Sequence, residues 1–302
     1  MTKLLLTFII INFIVKANCQ KSDDYLTKGQ IKAEQKDYKE AILNFTKAIE
    51  INPNNERAYY DRGNIKSDLG DYSGAVADFN KVIDIDYSFA YAYYLRGEVK
   101  YRQKDYSGAI ADYNSAIEIE PTCEAFYGRG DSKRKLRNYL AAMEDYNQAI
   151  KIKPNFERAY FQRGHVKNDL QDYRGAISDY NRVIEIEPMF KEAYANRGNS
   201  KTNLSDFRCA IENYNIAIKI DSKYADAYYN RGHAKGKLED YRGAISDYNI
   251  VIEINPEDAD AYYNRGYAML VLKMKDSGCL DLSKAGELGS EDAYEVIKKY
   301  CS

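Results

Sequence analysis

A glycine recurs along this chain at positions 29, 63, 97, 130, 164, 198, 232 and 266, spaced by 34 residues at every step except the 33 between Gly97 and Gly130. Self-similarity at a fixed period of this length marks a repeat architecture, in which each repeat is one supersecondary unit that cannot bury its apolar face alone. With each glycine taken as repeat position 8, other residue types fall into register. An aromatic stands four residues before it: Tyr25, Tyr59, Tyr93, Phe126, Tyr160, Tyr194, Tyr228 and Tyr262. An alanine follows twelve later (Ala41, Ala75, Ala109, Ala142, Ala176, Ala210, Ala244), and a second aromatic sixteen later (Phe45, Phe79, Tyr113, Tyr146, Tyr180, Tyr214, Tyr248). All five prolines, Pro53, Pro121, Pro154, Pro188 and Pro256, occupy one slot 24 residues after the glycine.

The spacings predict a helical hairpin per repeat. In the segment 56–85, Tyr59, Gly63 and Lys66 or Ser67 share one face of a helix. A Leu-Gly break follows, and Asp71 stands where an N-cap carboxylate accepts from the next turn. Its equivalents are Asp37, Asp105, Asn138, Asp172, Asp206 and Asp240. Ala75, Phe79, Val82 and Ile83 then form a second apolar stripe, and the proline slot ends that helix because proline disfavours α geometry in the residue before it. A glycine inside a helix costs about 1 kcal/mol relative to alanine. A close approach of helices beside bulky aromatics supplies the reason for keeping it.

This pattern strongly resembles the tetratricopeptide repeat family over about residues 22–290. The chain departs from that family's usual pattern by carrying Tyr where Trp is frequent, and Arg or Lys before the glycine where Leu is frequent. The resemblance implies an all-α fold: an α-solenoid of about eight stacked helix-turn-helix repeats forming a superhelix. The repeats fall at about 22–55, 56–89, 90–122, 123–156, 157–190, 191–224, 225–258 and 259–290 within an array at 20–290, followed by a capping helix at 291–302. The eighth repeat loses its second aromatic after Ala268 but keeps Ala285. Gly278–Cys301 resembles the closing element of many exported bacterial repeat proteins, in which two such cysteines staple the cap. Cys279 and Cys301 are therefore the candidate disulfide, with two free thiols as the alternative.

The first residues read differently. Lys3, an apolar run over 4–15 broken by Thr7 and Asn12, and the small-residue exit Ala17-Asn18-Cys19 resemble a Sec-type signal peptide at 1–19, too short to span a bilayer comfortably. The expectation is export to the periplasm or the exterior, with Gln20 as the mature terminus. The alternative is a lipid anchor on Cys19, although Lys16 stands where that signal needs an aliphatic residue. No span is expected in the mature chain.

The resemblance places the first helix of each repeat along a concave groove. Candidate groove aromatics are Tyr60, Tyr94, Tyr127, Phe161, Tyr229 and Tyr263. Asn64, Asp131, His165 and His233 lie four residues on from Tyr60, Tyr127, Phe161 and Tyr229, Asn199 holds the same position after Ala195, and Asn196, Asn230 and Asn264 fall one residue after the aromatic slot in the last three full repeats. In long sugar-transferase-associated arrays, Asn at that slot grips a peptide backbone; an amide has two donors and one acceptor suited to that task. Simple surface or capping polarity is the rival reading. The Lys and Asn clamp for chaperone tail carboxylates is missing, since aromatics replace its lysine.

Other chemistry is sparse. His165 and His233 lie two repeats apart and cannot share a metal. No metal, cofactor or catalytic constellation is expected: there is no HExxH, and Gly232-His-Ala-Lys-Gly-Lys has the wrong spacing for a phosphate loop. An arginine ladder (Arg62, Arg96, Arg129, Arg163, Arg197, Arg231, Arg265) faces an aspartate ladder (Asp78, Asp112, Asp145, Asp179, Asp247, Asp281), which reads as pairing inside each hairpin rather than as a phosphate-binding stripe. A net charge of −2 gives no bias toward nucleic acid. The chain is expected to be a protein–protein interaction scaffold, not an enzyme, binding a peptide or protein segment in the groove. The alternatives are an exported glycan- or cell-envelope-binding module and a self-assembling structural spacer.

Overall fold

The computed structural model describes the backbone of residues 2–301 and the side chains of residues 18–301. Among them are seventeen α-helices and no strand. The chain divides into two compact units, Met1–Pro154 and Asn155–Ser302. The first contains α1 (Thr2–Glu34), α2 (Tyr38–Ile51), α3 (Glu56–Asp68), α4 (Tyr72–Ile85), α5 (Ala90–Arg102), α6 (Tyr106–Ile119), α7 (Cys123–Lys135) and α8 (Tyr139–Ile152). The second contains α9 (Glu157–Asp169), α10 (Tyr173–Ile186), α11 (Lys191–Asn203), α12 (Phe207–Ile220), α13 (Ala225–Lys237), α14 (Tyr241–Ile254), α15 (Ala259–Val271), α16 (Lys275–Glu287) and α17 (Glu291–Tyr300). Within each unit every helix packs chiefly on its neighbours in sequence, the arrangement of an all-α solenoid. The first repeat differs from its expected bounds: its opening helix runs without a break from Thr2. The leader expected at 1–19 falls, for its side chains up to residue 17, outside the described residues.

The hairpin turn is built the same way in every repeat. One residue adopts a left-handed backbone: Lys36, Gly70, Lys104, Arg137, Gln171, Ser205, Glu239 and Lys273, with φ from 59° to 82°. That residue closes the helix with paired backbone bonds, such as Gly70 N to Ser67 O (3.1 Å) and Asp71 N to Lys66 O (2.8 Å). Only Gly70 meets this φ without the penalty of a side chain, so the surrounding packing fixes the other seven. The next residue is the expected cap. Asp71, Asp105, Asp172 and Asp240 accept from the amides of Gly74, Gly108, Gly175 and Gly243 at 2.9 Å. Asn138 is the exception: it holds the cap position of α8 with no side-chain bond.

The register glycine makes room for the second-helix aromatic. A Cβ built on Gly164 would sit 2.8 Å from Tyr180 Cε1, and one on Gly198 2.7 Å from Tyr214 Cε1. These rings are fully buried: Phe45, Phe79, Tyr113, Tyr146, Tyr180 and Tyr214 are all at 0% exposure. In the last hairpin Leu282 takes the aromatic's place, also at 0%, and the backbones close in until a Cβ on Gly278 would meet Gly266 O at 2.8 Å. The packed clusters alternate along the array, for example Ala75, Phe79 and Val99, then Tyr59, Val82 and Ala92.

Beside five of the second-helix rings, Phe79, Tyr113, Tyr146, Tyr180 and Tyr248, lies an ion triad. Arg62 Nη2 donates to Asp78 Oδ1 at 2.6 Å and Lys66 Nζ to Asp78 Oδ2 at 2.9 Å, with the Asp78 side chain only 4% exposed. Arg96, Lys100 and Asp112 repeat this arrangement, as do Arg129, Lys133 and Asp145, then Arg163, Lys167 and Asp179, then Arg231, Lys235 and Asp247. Arg265 pairs with Asp281 in the last hairpin. Each arginine also caps the position-4 ring, its guanidinium carbon 5.1–5.6 Å from the ring centre, as Arg62 does over Tyr59 and Arg231 over Tyr228. Apart from Arg197, the arginine ladder is therefore consumed inside the fold. At the end of the array a disulfide joins Cys279 on α16 to Cys301 after α17, and Ala293 packs with Leu282 and Ala285 beneath it.

Candidate functional site

In the first unit the face of α3 and α5 carries a run of aromatics. Tyr60 lies 6.0 Å from Phe89 and 6.3 Å from Tyr91, and Tyr91 stacks on Tyr94 at 5.4 Å with 21° between the rings. Arg57 covers the free side of Tyr60 at 5.0 Å. These rings border a depression whose wall includes Asn64, Glu98 and Arg102. Tyr60, Asn64 and Tyr94 are half-buried, whereas Tyr127 is buried at 8%. Tyr91 and Phe89 do not follow from the repeat pattern. Phe89 stands at the N-cap of α5 and makes no cap bond, and Phe156, Phe190 and Tyr224 do the same before α9, α11 and α13. These helices forgo a capping bond and gain ring packing: Phe190, for example, lies 4.8 Å from Phe161.

In the second unit a cleft opens between the α13–α14 hairpin and α15. His233, Gly236 and Lys237 come from α13, Tyr241, Ala244 and Tyr248 from α14, and Tyr263, Asn264, Tyr267 and Ala268 from α15, with Glu239 at the turn. Burial, and then the Lys237 charge, push the His233 imidazole below its ordinary pKa, so it is neutral at pH 7. Desolvation raises the phenols of Tyr263 and Tyr229, leaving both as neutral donors. Gly236 is unlike the register glycines, because a Cβ there would meet nothing within 4 Å. Its place in the helix follows from no internal packing, and it leaves open space on the cleft wall.

The polar groove residues have specific partners. Asn199 Oδ1 accepts from the buried Tyr214 hydroxyl at 2.8 Å, and Asp131 Oδ1 from Tyr146 at 2.6 Å. Glu98 accepts from Tyr113 in the same way. Position 9 therefore serves the core tyrosines of these repeats, whose pKa values burial drives upward, to about 12 for Tyr214. His165 lies edge-on to Phe161 at 4.6 Å and 6.0 Å from the Tyr180 ring. Two of the three asparagines at the ladder slot donate to their own helix: Asn196 to Glu192 O and Asn264 to Asp260 O, both at 2.8 Å. Asn264 also donates to the Tyr229 hydroxyl at 3.0 Å, so its amide hydrogens are engaged and its side-chain oxygen is the group left to accept. Asn230 is half-buried on α13. Among the described residues, no group of three or more His, Cys, Asp or Glu stands together to hold a metal ion.

Family comparison gives a consistent result. The description "TPR repeat" matches residues 29–67, 63–104, 130–169 and 202–239, and "Tetratricopeptide repeat" matches 90–123, 225–258 and 157–188. A solved structure of YrrB, described as a TPR protein with an unusual peptide-binding site, is 27% identical with a TM-score of 0.54, covering 64% of this chain and 97% of that one. A tetratricopeptide repeat protein from Parabacteroides merdae is 19% identical (TM-score 0.61, 82% of this chain and 99% of that one). The C-terminal part of a repeat protein from Cytophaga hutchinsonii is 16% identical (TM-score 0.66, 78% and 98%). The last two bear on the fold alone. No curated protein matches significantly.

Proposed function

The chain belongs to the tetratricopeptide repeat family, and from that premise we propose that it is a binding scaffold whose α13–α15 cleft receives a peptide segment of a partner protein. The observation that carries this reading is the juxtaposition of Tyr263, Tyr267, neutral His233 and the Asn264 carbonyl with the open space at Gly236. Tyrosines offer contact area at low entropic cost, and the neutral imidazole and the amide carbonyl offer one donor or acceptor each to a peptide main chain. The gap at Gly236 lets that main chain approach the helix closely. YrrB, described by its peptide-binding site, supports the same assignment. The cleft residues supply binding groups and no paired nucleophile and base.

A displayed library of random decapeptides tests this. Peptides selected on the protein should lose at least tenfold in affinity with Tyr263→Ser/Tyr267→Ser, at unchanged helicity. Selected peptides that bind the double variant as well as the parent would remove the cleft from the mechanism.

Residues 1–19 act, in this reading, as an export leader. Ser22 is fully buried, its hydroxyl donating to Ala48 O at 2.9 Å and accepting from Asn55 at 2.8 Å, whereas Cys19 and Gln20 are exposed. Cleavage after Cys19 therefore leaves these contacts intact. N-terminal sequencing of protein recovered outside the cytoplasm should begin at Gln20, and an intact Met1 terminus there would refute the leader.

A further inference from the structure

Of the seven hairpins that carry an arginine before the register glycine, one lacks the aspartate. In α11 and α12 the two cations are present, Arg197 and Lys201, but the position held by aspartate in the five triads and in the Arg265–Asp281 pair is Asn213. Arg197 Nε donates to Asn213 Oδ1 at 2.6 Å and Nη1 to Asn181 Oδ1 at 2.6 Å. The Asn213 amide donates to Cys209 O at 2.6 Å, so its nitrogen occupies the place of the second carboxylate oxygen. That leaves Arg197 Nη2 and Lys201 Nζ, which elsewhere contact the two aspartate oxygens, with no acceptor among the described residues. Neither group is sealed off: both side chains are only partly buried, and Arg197 is not among the buried polar atoms lacking a partner.

The charge balance agrees with the geometry. Desolvation holds the Arg197 guanidinium below its ordinary range, opposed by the Tyr194 phenol and by no carboxylate, whereas the carboxylate of Asp281 raises that of Arg265. The nearest acids on α12 do not fill the gap. Asp206 caps the helix as its counterparts do in the paired repeats, and Glu212 is exposed and forms no ion pair with either cation. Two adjacent, half-desolvated cations without a counter-ion form an unfavourable arrangement that an external anion relieves. The missing group is a carboxylate, and the other repeats show the geometry in which this arginine fork and lysine hold one.

We propose that Arg197 and Lys201 form a docking point for an acidic side chain of a protein partner, the partner's carboxylate completing the triad that Asn213 leaves open. Arg197 and Lys201 follow Ala195 and Asn199 by two residues, about 200° around the helix. The point therefore lies on the side of α11 away from the groove positions, and it stands or falls independently of the cleft. An acidic segment bound here and a peptide in the cleft are separate contacts.

The test is side-chain NMR of the full chain with 15N-labelled arginine, following the Nε–H signals during titration with C-terminally amidated pentaglutamate at constant ionic strength in NaCl. The expected result is a saturable shift at Arg197 and none at Arg163 or Arg231, whose triads are complete. Asn213→Asp, which copies the neighbouring repeats and folds on that account, should abolish the Arg197 shift. Conversely Asp179→Asn should create a second responding signal at Arg163. Acetate should bind at least tenfold more weakly per molecule than pentaglutamate, a gap wider than the roughly fivefold that five carboxylates supply by number alone. No response beyond that of chloride, or a response that survives Asn213→Asp, overturns the site. Acetate binding within fivefold of pentaglutamate overturns the protein partner and leaves a small-ion site.

Discussion

Replacing a helical glycine by alanine should have opposite effects at two positions one repeat pair apart. Alanine is favoured over glycine inside a helix by about 0.8–1 kcal/mol. At Gly164 that gain meets a wall: the new Cβ lies 2.8 Å from Cε1, 3.0 Å from Cζ and 3.2 Å from Cδ1 of Tyr180. Tyr180 cannot swing aside, being fully buried and held through its hydroxyl by Asn168 at 3.1 Å. Overpacking of this kind costs about 1–3 kcal/mol, so Gly164→Ala should destabilise by up to about 2 kcal/mol net of the propensity gain. At Gly236 no atom stands within 4 Å of the new Cβ, and Gly236→Ala should stabilise by about 0.5–1 kcal/mol, somewhat less than mid-helix because α13 ends at Lys237. Urea unfolding followed by circular dichroism measures both. Shifts of the same sign, or a Gly164→Ala variant more stable than its parent, would refute the account of why the register glycines are glycine. Gly236→Ala carries a second expectation: a more stable protein that binds cleft peptides more weakly, since the methyl group fills the space left for the ligand main chain.

Other expectations concern charge and covalent closure. Asp179→Asn leaves Arg163 and Lys167 facing an amide and should cost about 2–4 kcal/mol in the same unfolding assay, because both partners are mostly buried. His233 titrates below the unfolded imidazole, so on acidification the unfolded chain takes up its proton first. Stability contributed by the neutral ring is present above pH 6.5 and is lost as pH falls below it, and His233→Gln should flatten that part of a melting-temperature profile taken from pH 7 to pH 5. The Cys279–Cys301 bond closes a loop with a sequence separation of 22, and its reduction should destabilise the C-terminal cap by about 3 kcal/mol. Amide exchange should show that loss in α16 and α17 before it appears in α9–α14.

Much of the fold follows from residue identity because a 34-residue period samples each structural position seven or eight times. Gly63, Ala75 and Phe79 recur in equivalents that obey the same constraint, so their meaning survives any one substitution. The last helix, α17 at Glu291–Tyr300, follows a glycine turn at Gly289. The functional surface was less legible, for a physical reason: it consists of departures from the period. Phe89 occupies a slot that reads as a capping position, and only its packing on Tyr60 shows what it gains. Asn199 and Asp131 look like groove polarity in sequence, yet they satisfy tyrosine hydroxyls that a linear reading places on another helix. Gly236 sits in a stretch whose only evident comparison is a phosphate loop. Its significance is the emptiness around it, which no residue string encodes. The turn is a similar case: seven side-chain-bearing residues hold the left-handed conformation, so the position carries no glycine signature beyond Gly70.

The ion triads also govern how the unfolded chain behaves. Each hairpin interior is filled by tyrosine, alanine and charge pairs, so the mean hydropathy is −0.63, and among the described residues no helix is long and apolar enough to cross a membrane. A repeat that opens exposes ions and hydroxyls beside its alanines and rings, and water solvates those polar groups readily. Local unravelling therefore gives neighbouring copies few sticky surfaces, and a partly opened array can close again before it aggregates.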